Sequence, residues 1–383
     1  MNISEQLIAD LYSKAESQTQ SSENGTSFVS DYIVANEILK SDKSFRKDYG
    51  AISDFMLSRF NTDGEDWRRR KNISQKQFAQ ASISENLSAI HETAARSFTP
   101  GALSDGDGLR RLSIHYAAMN FFRLFGEEEV PEGFVDWVEK VRPFVQRLQV
   151  KTLVGEAANA FEPAEKQQLL SELGDIIAPR AHLFEHFKSS LHDPNAALEE
   201  SAMLFFGGVE STATTILWCM EMLGRALPYQ EIVRAEDRDG RIRLIDSFVN
   251  EVMRRFPAVP MIVRVPVENW ESHGRRFEKD RPIIISIIGV HHDARAWADP
   301  FTFDFRRKEF LEKSVKQGSF MPFSRGLRTC AGARLANEEI RAAALHLVEN
   351  YIIKQPSEKL GYDYGLTLNP TTYRHIQFQP LNQ

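Results

Sequence analysis

Apolar residues recur three and four apart through most of the chain and give way to short strand-like runs only late in it. Helical periodicity dominates to about residue 256, and strand patterns occupy about 260–290 and the C-terminal stretch. The expected fold is mainly α with a smaller β region. Leu112 to Phe125 reads as one helix, ended by Gly126, and Gly133–Trp137 opens another. Leu244 to Phe256 is a third, stopped at Pro257, while Met261–Val265 and Pro282–Gly289 read as strands. Near the end Ala336, Ile340, Ala343, Ala344, Leu347 and Tyr351 form one buried stripe, which predicts a helix over about 333–351. Gln18–Ser27 is polar and reads as a surface loop.

The strongest helix signal begins at Asp193-Pro194, an acceptor at the cap followed by proline at the first helical position. It runs to about Ala226, roughly 50 Å at 1.5 Å per residue. Met203–Phe206 and Ile216–Met220 are apolar on every side, which marks a buried helix; Cys219 reads as ordinary core. In its middle stands Gly207-Gly208-Val209-Glu210-Ser211-Thr212. Two glycines inside a helix cost roughly 1 kcal/mol each against alanine, and a buried acid costs more unless partnered. On these residues alone, a kinked core helix with Glu210 satisfying loosened carbonyls and a functional opening in the helix are both open.

A second peculiarity lies just before the last helix. Phe323-Ser-Arg-Gly-Leu-Arg-Thr-Cys-Ala-Gly332 puts Cys330 in a glycine-flanked loop directly ahead of a helix N-terminus. Free N–H groups and the positive dipole end there favour a thiolate. Gly326 and Gly332 allow special backbone conformations and close approach, and Arg325 and Arg328 add positive charge.

Composition narrows the classes. Hydrophobic content of 42% and charged content of 26% describe a globular protein with ample core, and a net charge of -6 argues against a general nucleic-acid binder. Two cysteines make no disulfide framework, which fits a reducing compartment. The N-terminus lacks the basic-then-apolar pattern of a signal peptide, and no run of about 18 uninterrupted apolar residues predicts a membrane span. The expectation is a cytoplasmic protein that spans no membrane.

Phe323-x-x-Gly326-x-Arg328-x-Cys330-x-Gly332 resembles the haem-binding signature of the cytochrome P450 family, with every fixed position filled. The resemblance extends over nearly the whole chain and implies a single domain, residues 1–383, with the cytochrome P450 fold. It implies haem b (heme b, iron protoporphyrin IX) with Cys330 as the iron ligand, and Phe323 and Gly332 beside it. Gly207-Gly208-Val209-Glu210-Ser211 resembles the oxygen-activation segment, where Gly207 and Gly208 would leave room for dioxygen and Glu210 and Ser211 would deliver protons. Serine stands at 211 where the family usually has threonine. Trp67, Lys71, Arg264 and Arg328 match the positions that hold the haem propionates; lysine stands at 71 where the family has arginine.

By periodicity Glu251 and Arg254 would be a surface pair at i, i+3. The resemblance instead implies a pair buried against Arg307. Residues about 143–190, including Phe144, Leu148, Phe161 and Phe184, match the family's mobile lid. Residues 259–262 and the turn at Thr371–Tyr373 would face substrate.

The implied activity is monooxygenation of a small organic substrate (hydroxylation, epoxidation or O/N-dealkylation) with two electrons from a ferredoxin or flavodoxin-type donor and its reductase. Arg68, Arg69 and Arg70, on the helix carrying Trp67, would meet that donor or form a solvated face. A peroxide-driven or non-oxygenating haem-thiolate enzyme is the alternative. A haem-binding sensor would lack the acid–hydroxyl pair present here.

Overall fold

The computed structural model describes residues 3–16, 22–23, 26–48, 55–80, 84–153 and 161–381. Its helices are α1 (Ile3–Glu16), α2 (Tyr32–Lys40), α3 (Gly64–Gln80), α4 (Ser84–Ser97), α5 (Leu109–Arg123) and α6 (Phe134–Leu153). Then follow α7 (Pro163–Ile177), α8 (Ala181–Leu191), α9 (Pro194–Gly224), α10 (Leu227–Ala235), α11 (Arg238–Arg255) and α12 (Ala333–Asn350). Shorter turns lie between them.

The long helix α9 is the axis of the molecule. Asp193 caps it by accepting the Asn195 N–H at 2.9 Å, and Pro194 sits in its first turn. It packs on α5, α8, α12 and α11. Among the described residues it is the one helix long and apolar enough to cross a membrane, but 83% of its apolar window is buried within the fold. The all-round apolar pattern therefore reports protein on every side.

Five strands form the main sheet: β1 (Ser22–Glu23), β2 (Thr26–Val29), β3 (Phe45–Arg46), β4 (Met261–Pro266) and β7 (Ile283–Ser286), in the order β1-β2-β7-β4-β3. Between β4 and β7 a small hairpin, β5 (Trp270–Ser272) and β6 (Arg275–Phe277), projects from it. Near the C-terminus β8 (Tyr351–Lys354) pairs with β11 (Gln377–Pro380), and β9 (Tyr362–Tyr364) with β10 (Leu368–Pro370).

Several expected boundaries shift. Part of the polar stretch 18–27 is strand, because Ser27–Val29 pairs in parallel with Ile283–Ile285; residues 18–21 and 24–25 lie outside the described set. The strand expected over Pro282–Gly289 ends at Ser286, whose hydroxyl accepts the Gly289 N–H and starts a helical turn. Helix α11 begins six residues before Leu244, at Arg238, capped by Asp237 on the Gly240 N–H; a polar first turn hid it from periodicity.

Candidate functional site

The Cys330 loop is closed by a hydrogen bond from its own N–H to the Phe323 carbonyl, 3.0 Å. Gly326 has φ +73°, and a Cβ there would lie 2.3 Å from the Leu39 carbonyl oxygen, so only glycine fits. Gly332 is not demanded by space: its φ is ordinary, and a Cβ would stand in ordinary contact, 3.4 Å from Phe78 and 4.0 Å from Cys330 Sγ. Burial pushes the Cys330 thiol up, against the opposing pull of the Gly332 and Ala333 N–H groups and of Lys47. The helix N-terminus thus acts in the expected sense, and desolvation outweighs it. Cys330 nevertheless has open accessible surface.

The long helix supplies a matching face. From Glu200 to Gly224 nearly every residue of α9 is buried; the breaks are Gly207, Gly208 and Ser211, at i, i+1 and i+4. Ser211 Oγ donates to the Gly207 carbonyl at 3.1 Å, on that same face. Gly208 is also demanded by an aromatic neighbour, and Gly207 stands close to another. A Cβ on Gly208 would come within 2.4 Å of Phe121, and one on Gly207 within 3.1 Å of Phe60. Phe121 meets Phe78 edge-on at 6.1 Å, and Phe78 touches Gly332, so aromatic packing ties the helix to the Cys330 loop.

Glu210 turns away from that face into a polar cluster. It is 1% exposed, and its Oε2 accepts from Arg110 at 2.6 Å. Its Oε1 accepts from the Thr367 hydroxyl at 2.9 Å, and Arg142 stands 3.6 Å away. Arg110 also bonds Glu139 and Asn369, at 2.8 Å each. Burial, which would lower the Arg110 guanidinium, is outweighed by Glu210 and Glu139, and it is held above its usual value. Thr367 lies in the turn between β9 and β10, and Asn369 follows it in β10. The turn reaching the middle of the long helix is therefore this one. Thr371–Tyr373 lies elsewhere: Thr372 bonds Glu221, roughly 16 Å further along the helix axis.

Cations gather near the Cys330 loop. Trp67 is buried with Arg328 at 4.0 Å and Lys71 at 5.1 Å from its ring centroid. Arg328 bonds Asp63, which in turn accepts the Lys47 N–H at 2.9 Å. Lys47, just past β3, was not foreseen. Burial first, then Arg264 and Arg328, hold its ammonium well below the ordinary value. Arg264 is itself buried. Buried like charges of this kind fit a ligand that brings carboxylates. Among the described residues no group of three or more His, Cys, Asp or Glu could hold a metal ion.

Other expected residues fall differently. Arg70 is buried and bonds Asp66, the Leu57 carbonyl and Glu200; only Arg68 and Arg69 lie on an exposed face. Glu251 and Arg254 are fully buried, and Arg307 Nε meets Glu251 at 2.8 Å, as the resemblance implied and periodicity did not. Residues 143–190 are largely helical, with Phe144 and Phe161 packed on Phe55; the Phe184 side chain and residues 154–160 lie outside the described set. Met261 and Ile262 are buried in the sheet, and Val259 is exposed.

Residues 180–376, just over half of the chain, match the family model described as Cytochrome P450. Human cytochrome P450 2J2 is 30% identical over 253 residues, 60% of this chain and 48% of that protein. Rat cytochrome P450 2J3 is 30% identical over 192 residues, 45% of this chain and 38% of that one. The chain thus spans less than half the length of these curated relatives. Among solved structures, cyanobacterial CYP120A1 with retinoic acid bound superposes with a TM-score of 0.76 at 19% identity, covering 93% of this chain and 89% of that one. A six-coordinated cytochrome P450 from Thermus thermophilus gives 0.76 at 16% identity over 98% of both.

Proposed function

The chain belongs to the cytochrome P450 family, and from that premise we propose that it is a haem-thiolate monooxygenase acting on a small organic substrate. One observation carries the reading: the exposed Cys330, directly ahead of a helix N-terminus, lies within electrostatic reach of Lys47, which is grouped with Arg264 and Arg328. Haem b bound through the Cys330 thiolate supplies dioxygen activation with two electrons, the thiolate favouring O–O cleavage. Trp67, Lys71, Lys47, Arg264 and Arg328 would hold its carboxylates. Ser211 Oγ is the hydroxyl placed to hold and pass a proton at the accessible helix face. Glu210, bonded to Arg110 and Thr367, anchors that part of the helix to α5 and to the β9–β10 turn.

The electron donor in this reading is a ferredoxin or flavodoxin with its reductase, met by Arg68 and Arg69. The setting is cytoplasmic, in keeping with two free cysteines. Hydroxylation, epoxidation and dealkylation all remain within this chemistry. The purified protein should bind haem and, once reduced under carbon monoxide, show the red-shifted Soret band of cysteinate ligation; Cys330→His should abolish that shift. Absence of the band in the unaltered protein would remove the proposal.

A further inference from the structure

One enclosed cation takes no part in the chemistry above. Arg255 is the last residue of α11 and follows directly on Arg254. The two guanidiniums are met very differently. Arg254 gives one edge, Nε and Nη2, to the two oxygens of Glu251 at 2.6 and 2.9 Å. Arg255 has no such partner. Its Nη1 meets His292 Nε2, an acceptor because Nδ1 of that ring donates to the Ile288 carbonyl at 2.7 Å. Its guanidinium carbon lies 5.9 Å from the ring centroid of Tyr12 and 5.5 Å from that of Phe256. Tyr12 is itself fixed: its hydroxyl donates to the Arg255 carbonyl at 2.6 Å, and its ring meets His292 edge-on at 5.5 Å. The Nε–Nη2 edge is left over, with Nε buried without an acceptor and Nη2 given none by the described residues. Glu251, the carboxylate that acts on Arg255 through space, is already shared by Arg254 and Arg307. Burial, with Arg254 and Arg307 adding to it, outweighs Tyr12 and Glu251 and holds the Arg255 guanidinium below its ordinary value. A cation so enclosed is costly without an anion, and a planar fork of two donors matches a carboxylate.

We infer that the Nε–Nη2 edge of Arg255 is a binding site for a small organic carboxylate, held side-on as Arg254 holds Glu251 and walled by Tyr12, Phe256 and His292. Arg255 is half-buried, so the edge is recessed while the side chain can still be reached. Its walls are neutral and aromatic and would solvate no further charge, which favours a carboxylate on an apolar body over phosphate or sulfate. The occupied edge would join α1, through Tyr12, to the end of α11, so binding is felt as stability. Arg255, Tyr12, Phe256 and His292 are distinct from the residues grouped around Cys330 and Ser211, and the inference stands apart from the haem-thiolate reading.

The test uses the full chain as purified, with benzoate as the probe and benzamide, of the same shape without the charge, as the control. Binding is read by calorimetry and as a rise in the urea midpoint, with the absorption spectrum followed in the same titration. Benzoate should bind and raise the midpoint, and benzamide should do neither. Arg255→Lys keeps the charge but loses the fork and should weaken benzoate about ten-fold; Arg255→Met should weaken it about a hundred-fold and remove the rise in midpoint. If Arg255→Met fails to fold, Arg255→Lys carries the comparison. Unchanged benzoate affinity in either variant overturns the site, as does benzamide binding equally well or benzoate not binding the unaltered protein. A Soret shift that saturates in step with the heat would put the probe at the Cys330 site and overturn it too.

Discussion

Two buried carboxylates, Glu251 and Glu210, each face arginine in a protein interior, yet their surroundings differ in kind. Glu251 receives both Arg254 and Arg307, and those guanidiniums spend their other N–H groups on main-chain carbonyls of His291, Ala298, Pro300 and Thr302. One acid thereby fixes a stretch of irregular backbone that no regular hydrogen-bonding pattern could satisfy. Glu210 is met by side chains: Arg110, Thr367 and, at 3.6 Å, Arg142, whose second partner is Asp363 nearer the surface. The first cluster is saturated by the backbone and can only hold. The second is held by side chains from α5, α6 and the β9–β10 hairpin, and its loss would release fewer main-chain groups.

The largest effect should separate the two directly. Glu251→Ala leaves two buried guanidiniums without their anion and should cost about 3–5 kcal/mol, read as a lower urea midpoint and loss of haem. Glu210→Gln keeps one acceptor oxygen for Arg110, its amide N–H can donate to the Thr367 hydroxyl, and Arg110 retains Glu139, so about 1 kcal/mol is expected. Equal losses in the two variants would erase the distinction drawn here.

Acid should act on the first cluster next. His291 accepts the Met321 N–H at Nε2 (2.9 Å), which puts its proton on Nδ1 toward the Arg254 carbonyl. Burial, with Arg254 adding to it, depresses the ring to about 3 from 6.5. Above pH 6.5 the ring is neutral folded or unfolded. As pH falls below that, the unfolded chain takes a proton that the folded one refuses, and stability declines until about pH 3. His291→Gln should flatten that limb by on the order of a few kcal/mol, measured as urea midpoints against pH. An identical slope in the variant would show that His292, also depressed, or the carboxylates carry it.

What could be read beforehand follows the same division. The Cys330 loop, the capped start of α9 and the Glu251–Arg254 spacing are local patterns, and local patterns survive in sequence. Arg110, Lys47 and Thr367 reach the site from 100, 283 and 157 residues away from Glu210, Cys330 and Glu210 in turn, and no periodicity records such convergence. Arg70 misled because Arg68-Arg69-Arg70 looks uniformly solvated, whereas one helical step of 100° takes Arg70 from the exposed side to Glu200. Thr367 was missed by four residues: the short pairing of β9 with β10 moves the apex of the hairpin to 365–367, ahead of Thr371.

The smallest expected effect touches stability hardly at all. Ser211 Oγ is bonded to the Gly207 carbonyl at 3.1 Å, and serine has no methyl to confine χ1, so the hydroxyl can leave that bond toward the accessible face or stay on it. Threonine would be held between fewer rotamers, and its hydroxyl would spend a steadier share of time where the Gly207–Gly208 face opens. Ser211→Thr should therefore waste less reducing equivalent as hydrogen peroxide, by about two-fold, because a rotamer bias worth a few tenths of a kcal/mol shifts populations only that far. The measurement is peroxide formed per electron pair consumed with any turned-over substrate. A ratio unchanged from the parent would mean that proton supply is set elsewhere, and the Glu210 side of the comparison, with Arg142 poised between two acids, becomes the place to look.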